Sequence, residues 1–309
     1  MWGQVGDGSR IQGSSSRRPF NTETRGLPLR HALAISGYMR LFLIPLLTLA
    51  AFELSSITTP AAEGIIWDRS TDRTVSHTDK AAAYPRGRRL SNGDILLGYH
   101  HGGGAGEYGT YVTLRRSRDG GKTWSETRDV EKPEDPRFWG FSNVDFLETG
   151  GVAGEMILVT AARGKAEPGK DVFLSECERS ELRLRFSRDF GASWGGPVSV
   201  AGGRGRVWEP SLVKLPGGEL EIYYACEAPD LRRNGRLDQR IEVIRSTDRG
   251  RTWTPPAEVS QHPGVRNGMP AAIVLANGKV ACAQEMVGQK VSPLISFTVQ
   301  GKRVEETMP

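Results

Sequence analysis

Three copies of one eight-residue pattern run through the chain: SRDGGKTW at Ser117–Trp124, SRDFGASW at Ser187–Trp194 and STDRGRTW at Ser246–Trp253. Ser, Asp, Gly and Trp hold fixed places in each copy, and the copies start 70 and 59 positions apart. A repeat of that period marks a propeller, a solenoid or an array. The chemistry of the pattern is that of a turn. Asp119, Asp189 and Asp248 are short side chains that accept hydrogen bonds from backbone N–H groups just downstream. Gly121, Gly191 and Gly250 tolerate the positive φ that a tight hairpin asks for. Trp124, Trp194 and Trp253 return as large apolar plugs, each with an indole N–H that needs a partner. Turn chemistry accounts for every fixed position, so these nine residues are read as staples of the fold and not as catalysts.

Working outward from the pattern, a second repeat keeps the same register. Leu90–His100, Leu215–Cys226 and Leu275–Cys282 each place an Asn-Gly or Gly-Gly turn before a β-rich run, which is a hairpin signature. Leu147–Thr160 is a looser copy with a longer turn. Downstream of the leader, no stretch sustains the 3.6-residue period of a helix, so the core is expected to be all-β. After Glu285 the chain shows neither the pattern nor a further hairpin. The span from Ala62 onward holds about four repeats, and a gene model truncated at its end is the expectation.

The amino terminus reads differently. Residues 1–38 are rich in Arg, Ser and Gly without hydrophobic period, and are expected to be a non-native or disordered leader. Met39-Arg40 followed by the 12-residue apolar run Leu41–Phe52, and small residues to Ala62, reads as a secretory signal peptide over 39–62. Twelve apolar residues are short for a bilayer span, and the alternative reading is a signal anchor with a cytoplasmic tail. Residues 63–309 are then the folded domain, secreted and without stable membrane association. The formal net charge is +5, of which residues 1–62 carry +3, so the remainder is close to neutral. No clustered basic run offers a nucleic-acid surface. Three cysteines leave at least one thiol without a partner in the chain, and Cys226 and Cys282 sit in apolar strand contexts. His100-His101 points to opposite faces of a strand and makes a poor chelate, and no zinc-site spacing occurs. The glycines at 102–104 lack the helix start of a phosphate loop and read as a mobile loop.

The eight-residue pattern resembles the Asp-box, or BNR repeat, of the sialidase superfamily. That resemblance covers about Ala81 to Met286 and implies a six-bladed β-propeller, here incomplete with about four blades present. The boxes then lie on hairpins between outer strands, away from the active site. The chemistry is sought at the inner strands around the channel, at Tyr84-Pro85-Arg86, Asn143-Val144-Asp145, Trp208-Glu209-Pro210 and Asn267-Gly268-Met269-Pro270, and at the strand ends Glu227 and Glu285. Glycoside hydrolysis asks for two carboxyl groups flanking the scissile bond. Arg86 is similar to the first arginine of a sialidase carboxylate clamp, but Glu227 stands where a second is expected, and it would repel a carboxylate.

The combination of YPR…LSNG, WEP…YYxxE and GMP…NG…E resembles more closely the exo-arabinanase-like glycoside hydrolase family 93. That resemblance implies release of arabinobiose from linear α-1,5-arabinan with retention, Glu209 as acid/base and Glu285 as nucleophile. Arg86, Asp145, Trp208, Tyr224 and Glu227 are the expected substrate-binding residues. No metal or cofactor is implied, the partner is an oligosaccharide or polysaccharide, and the enzyme is expected to act as a monomer. Two readings stand beside it: an exo-α-sialidase, and a non-catalytic Asp-box propeller that binds carbohydrate or protein.

Overall fold

The turn Leu90-Ser-Asn-Gly-Asp94 closes with reciprocal backbone bonds, Leu90 N–H to Asp94 O (2.8 Å) and Gly93 N–H to Leu90 O (2.9 Å), with Gly93 at φ 91°. Leu215–Glu219 and Leu275–Lys279 repeat both bonds. Each such turn joins the first two strands of a four-stranded antiparallel sheet. The structure, a computed structural model, describes residues 68–76, 82–102, 111–233, 236–288 and 294–307. The expected leader, the signal peptide and most of the loop that begins with the glycine run lie outside them.

Four sheets follow one another in chain order. The first is β1 (Ala82–Arg89), β2 (Ile95–His101), β3 (Tyr111–Ser117) and β4 (Arg128–Glu131). The second is β5 (Phe138–Glu148), β6 (Met156–Gly164), β7 (Glu181–Ser187) and β8 (Val198–Val200). The third takes β9 (Arg206–Lys214) and β10 (Leu220–Glu227), leaves for the small hairpin β11 (Arg232–Arg233) and β12 (Arg236–Leu237), and returns as β13 (Arg240–Ser246) and β14 (Ala257–Ser260). The fourth is β15 (Arg266–Val274), β16 (Val280–Val287), β17 (Leu294–Val299) and β18 (Lys302–Thr307). Each is a meander in sequence order, and the architecture is propeller-like.

Strand alternation builds the core. Met156 and Leu158 of β6 pack toward the first sheet, with Leu96, Leu114 and Phe146. Their neighbours Ile157 and Val159 pack toward the third, with Leu212 and Ile222. In β10 the same alternation sends Ile222 and Tyr224 one way and Tyr223 and Ala225 the other, toward Val280 and Cys282 of the fourth sheet. Strands covered on both faces need apolar residues at nearly every position, which is why β6 and β10 are buried end to end. Gly98 allows the first two sheets their close approach: a β-carbon there would lie 2.8 Å from Phe146 and 2.9 Å from Leu114 and Val144.

The boxes fall between the third and fourth strands of the first three sheets, at the same end as the first hairpin turn. Ser117 Oγ accepts from Gly121 N–H (2.8 Å) and donates to Asp119 (2.8 Å), and Asp119 accepts from Thr123 N–H (2.9 Å) and Oγ (2.6 Å). The other two boxes repeat the set around Asp189 and Asp248. Trp124 and Trp253 donate their indole N–H to Gly121 O and Gly250 O (3.2 and 3.0 Å), whereas the Trp194 N–H finds no partner among the described residues.

The core is all-β as expected, with a short helix packed on it, and one expectation is corrected. A helix, α1 (Val172–Arg179), packs on the second sheet with Asp171 capping Leu174 N–H (2.9 Å). Two turns are too few to show a 3.6-residue period in the sequence. The stretch after Glu285 does hold a hairpin, β17–β18, which completes the fourth sheet. Its two turn residues, Gln300 (φ 50°) and Gly301 (φ 72°), take the paired positive φ of a two-residue turn. Gln-Gly is a weaker signal than Asn-Gly, and β18 (KRVEET) lacks apolar alternation, so neither strand stood out. Cys177, Cys226 and Cys282 are all free and buried.

Candidate active site

The first strand of each four-stranded sheet carries an extra residue near its start, and β5 carries a second between Phe138 and Gly140. The register of β1 on β2 shifts between Ala83 and Arg86, of β5 on β6 between Ser142 and Val144, of β9 on β10 opposite Tyr223 and Ala225, and of β15 on β16 between Gly268 and Ala271. The residues at these bulges are Tyr84 (φ 54°), Asn143 (51°), Glu209 (47°) and Met269 (54°), none of them glycine. A β-bulge re-aims a side chain, and left-handed backbone in a non-glycine residue is strain that collects at functional sites. The bulges lie at the end of the sheets opposite the boxes.

Side chains of one sheet cap the bulge of the next. Asn143 N–H donates to His100 Nδ1 (3.0 Å), and Met269 N–H donates to Glu209 Oε2 (3.1 Å). Two positions further on, Asp145 Oδ2 accepts from Leu212 N–H (2.8 Å) and Ser211 Oγ from Ala272 N–H (3.0 Å). The bulges therefore fix how successive sheets meet and also aim Glu209.

Glu209 is half-buried, and burial pushes its carboxyl above the ordinary glutamate range, against the Met269 N–H bond and the charges of Arg163 and Arg266; the nearby Glu285 pushes the same way as burial. Glu285, exposed, pairs across the sheet with Gly268. A β-carbon on Gly268 would come within 3.0 Å of Gln239 Oε1 and 3.2 Å of Glu285 Oε1, so glycine leaves room for both side chains. The two carboxylates thus reach the same dipeptide, Gly268-Met269, one half-buried and one exposed.

Of the expected substrate-binding residues, Trp208 joins this group. It is buried, with the Arg163 guanidinium 3.1 Å from its ring centroid. Arg86 is half-buried beside its own Pro85 carbonyl (3.3 Å). The others are occupied elsewhere. Asp145 is buried and ties three sheets, accepting from Arg88 (3.2 Å), Phe146 N–H (2.9 Å) and Leu212 N–H. Tyr224 lies in the core between the second and third sheets, its hydroxyl donated to Glu242 (2.6 Å). Glu227 is buried between Arg266 (2.9 Å) and Arg206 (3.4 Å). Among the described residues no group of three His, Cys, Asp or Glu side chains is placed to hold a metal.

The structure adds residues that the sequence reading passed over. Arg163, at the end of β6, is 3% exposed and donates Nε–H to Ser142 Oγ (3.0 Å). His100 is buried, and desolvation, with the charges of Arg163 and His101, pulls its pKa down to about 4, so the ring is neutral and Nδ1 is an acceptor. Its ring stands 5.1 Å from that of Tyr84. A signal existed: counted from the bulge partner, Arg163 takes in β6 the place Glu227 takes in β10, and His100 takes in β2 the place Glu285 takes in β16. That alignment needs the strand registers.

The BNR/Asp-box repeat family matches residues 115–126. Among solved structures, the chain is similar to a protein of unknown function from Dyadobacter fermentans (20% identity, 74% of this chain and 69% of that one, TM-score 0.58). It is similar to the GH93 α-L-arabinofuranosidase of Fusarium graminearum in complex with arabinobiose (20%, 74% and 65%, 0.55). A leech intramolecular trans-sialidase also matches (12%, 74% and 51%, 0.54). The fold is similar to that of these solved structures. The chain spans about two thirds of the Fusarium enzyme and half of the leech enzyme. No curated protein matches it. The boxes sit away from the strand ends that gather Glu209, Glu285, Arg163 and His100.

Proposed function

We propose that this protein is an exo-acting glycoside hydrolase that cleaves linear α-1,5-arabinan with retention, with Glu209 as acid/base and Glu285 as nucleophile. The observation that carries the reading is the pair of unlike carboxylates on Gly268-Met269. Burial keeps Glu209 protonated to higher pH than an ordinary glutamate, as a proton donor to a leaving oxygen requires. Glu285 stands in solvent on the adjoining sheet, where it can attack an anomeric carbon. The likeness to an arabinobiose-bound enzyme supports the substrate class. A sialoside reading is less well supported, because Glu227 stands where a second clamp arginine is expected.

A six-bladed propeller of which the chain holds about four blades, export through residues 39–62 and action as a monomer belong to the same proposal. The fourth sheet has an uncovered face: Ile273 is 61% exposed, whereas its counterpart in the third sheet, Val213, is 6% exposed beneath the fourth. A further sheet would cover it.

Steady-state kinetics test the reading. Glu209→Gln and Glu285→Gln each lower kcat on linear arabinan about a thousandfold, while arabinobiose binding survives. In the wild type kcat/KM falls as pH rises, because Glu209 must keep its proton, and the limb lies above the ordinary glutamate pKa. A wild-type protein that cleaves neither aryl arabinobiosides nor aryl sialosides would rule out the enzyme and leave the binding propeller.

A further inference from the structure

Trp139 is the one aromatic among the large hydrophobic side chains that the described residues expose, at 37%. Its exposure is not fraying at a strand end, since Phe138 and Phe141 on either side are buried in the core between the first two sheets. It lies near the start of β5, at the bulge end of the sheet. There the Arg163 guanidinium carbon lies 5.9 Å from the Trp139 ring centroid and 3.1 Å from that of Trp208. Arg163 is itself fixed, buried and bonded to Ser142 Oγ (3.0 Å). The sequence Trp139, Arg163, Trp208 therefore runs from solvent inward and ends beside Glu209, the next residue in the chain. An indole that is 37% exposed, with a buried cation beside its ring, is an apolar surface at the edge of a polar site. Large aromatic side chains so placed supply binding energy at little entropic cost.

We propose that Trp139 is a sugar-stacking platform: it receives the apolar C–H face of a neutral sugar unit beyond the one attacked at Glu209 and Glu285. The ligand is neutral because stacking on an aromatic face uses C–H bonds and shape, not charge. The proposal rests on the glycosidase reading and adds a second binding position to it. Trp139 touches no reacting atom, so its role is in substrate affinity and chain-length preference.

The experiment compares the wild-type protein with Trp139→Ala and Trp139→Phe, using linear arabinan and arabinotetraose. Trp139→Ala is expected to raise KM on arabinan about tenfold with kcat within twofold, and Trp139→Phe to recover most of the loss, since a phenyl ring still stacks. Arabinotetraose binding, read by calorimetry, weakens by the same factor in the Ala variant. Unchanged KM and affinity in Trp139→Ala overturn the platform. So does an equal loss in both variants with a lowered Tm, which marks a purely structural tryptophan. If no arabinose substrate is cleaved, calorimetry still decides. Arabinotetraose binding that weakens tenfold in Trp139→Ala upholds the platform while the glycosidase reading falls, and no binding by the wild type overturns both.

Discussion

His100 shows how one buried side chain couples the site to stability. Its imidazole is neutral in the folded protein because desolvation and Arg163 disfavour the cation, which puts the folded pKa near 4 against 6.5 for an unperturbed histidine. A depressed histidine pKa contributes stability above the unfolded value and loses it as pH falls toward the folded one. The unfolding free energy from urea titrations is therefore expected to drop between pH 6.5 and pH 4, by up to about 3 kcal/mol from this group. In His100→Gln that segment of the profile flattens. The box aspartates titrate lower. Hydrogen bonds from Thr123 and Thr252 hold Asp119 and Asp248 near 2, and at Asp189 desolvation pushes up but the bonds from Ser193 bring it to the same value. Their contribution stays in place down to the unfolded pKa of 3.8 and is lost only as pH falls toward 2. The two losses are separable on one acid titration.

Among the elements, the box hairpin was the most legible part of the chain, because its contacts are local. Ser, Asp, Gly and Thr bond one another within eight residues, so the sequence pattern and the turn are nearly the same fact. What the hairpin packs against was not legible. A β-carbon on Gly250 would stand 2.6 Å from Ile157 of the second sheet, at a φ of 87°. Gly250→Ala is thus expected to destabilise by about 2 kcal/mol through strain and overpacking together, read as a lower urea midpoint with unchanged m. Gly93, with nothing near and φ 91°, isolates the backbone part of that cost in Gly93→Ala. The hairpin β17–β18 was illegible for the opposite reason: its turn is local but chemically ordinary, and its outer strand is held by register with β17 and not by a pattern of its own.

Across the whole molecule, the sheets are joined by polar ties as well as apolar packing. Asp145 accepts from Arg88 in the first sheet and from Leu212 N–H in the third. Arg88 also reaches Leu212 O (3.3 Å). Removing the carboxylate strands a buried backbone N–H. Asp145→Ala should cost about 3 kcal/mol in denaturant unfolding, and Asp145→Asn, which keeps one acceptor oxygen, no more than half of that. A similar loss in both variants would mean that the charge matters and the Leu212 bond does not. The sequence reading assigned Asp145 to substrate because it is a polar residue in the inner-strand segment Asn143-Val144-Asp145. In the folded chain that position bonds the next sheet, as Ser211 does for Ala272.

By itself the sequence determined the all-β class, the turn chemistry of the boxes, the repeated hairpins and the two glutamates worth testing. Those features rest on short-range bonding, on the two-residue period of strands and on residue types that one reaction demands. The tertiary structure alone decided which polar residues meet. Glu209, Glu285, Arg163, His100 and Trp139 come from four sheets, and bulge register aims each of them. Register is a property of paired strands, so a single strand read in isolation does not carry it.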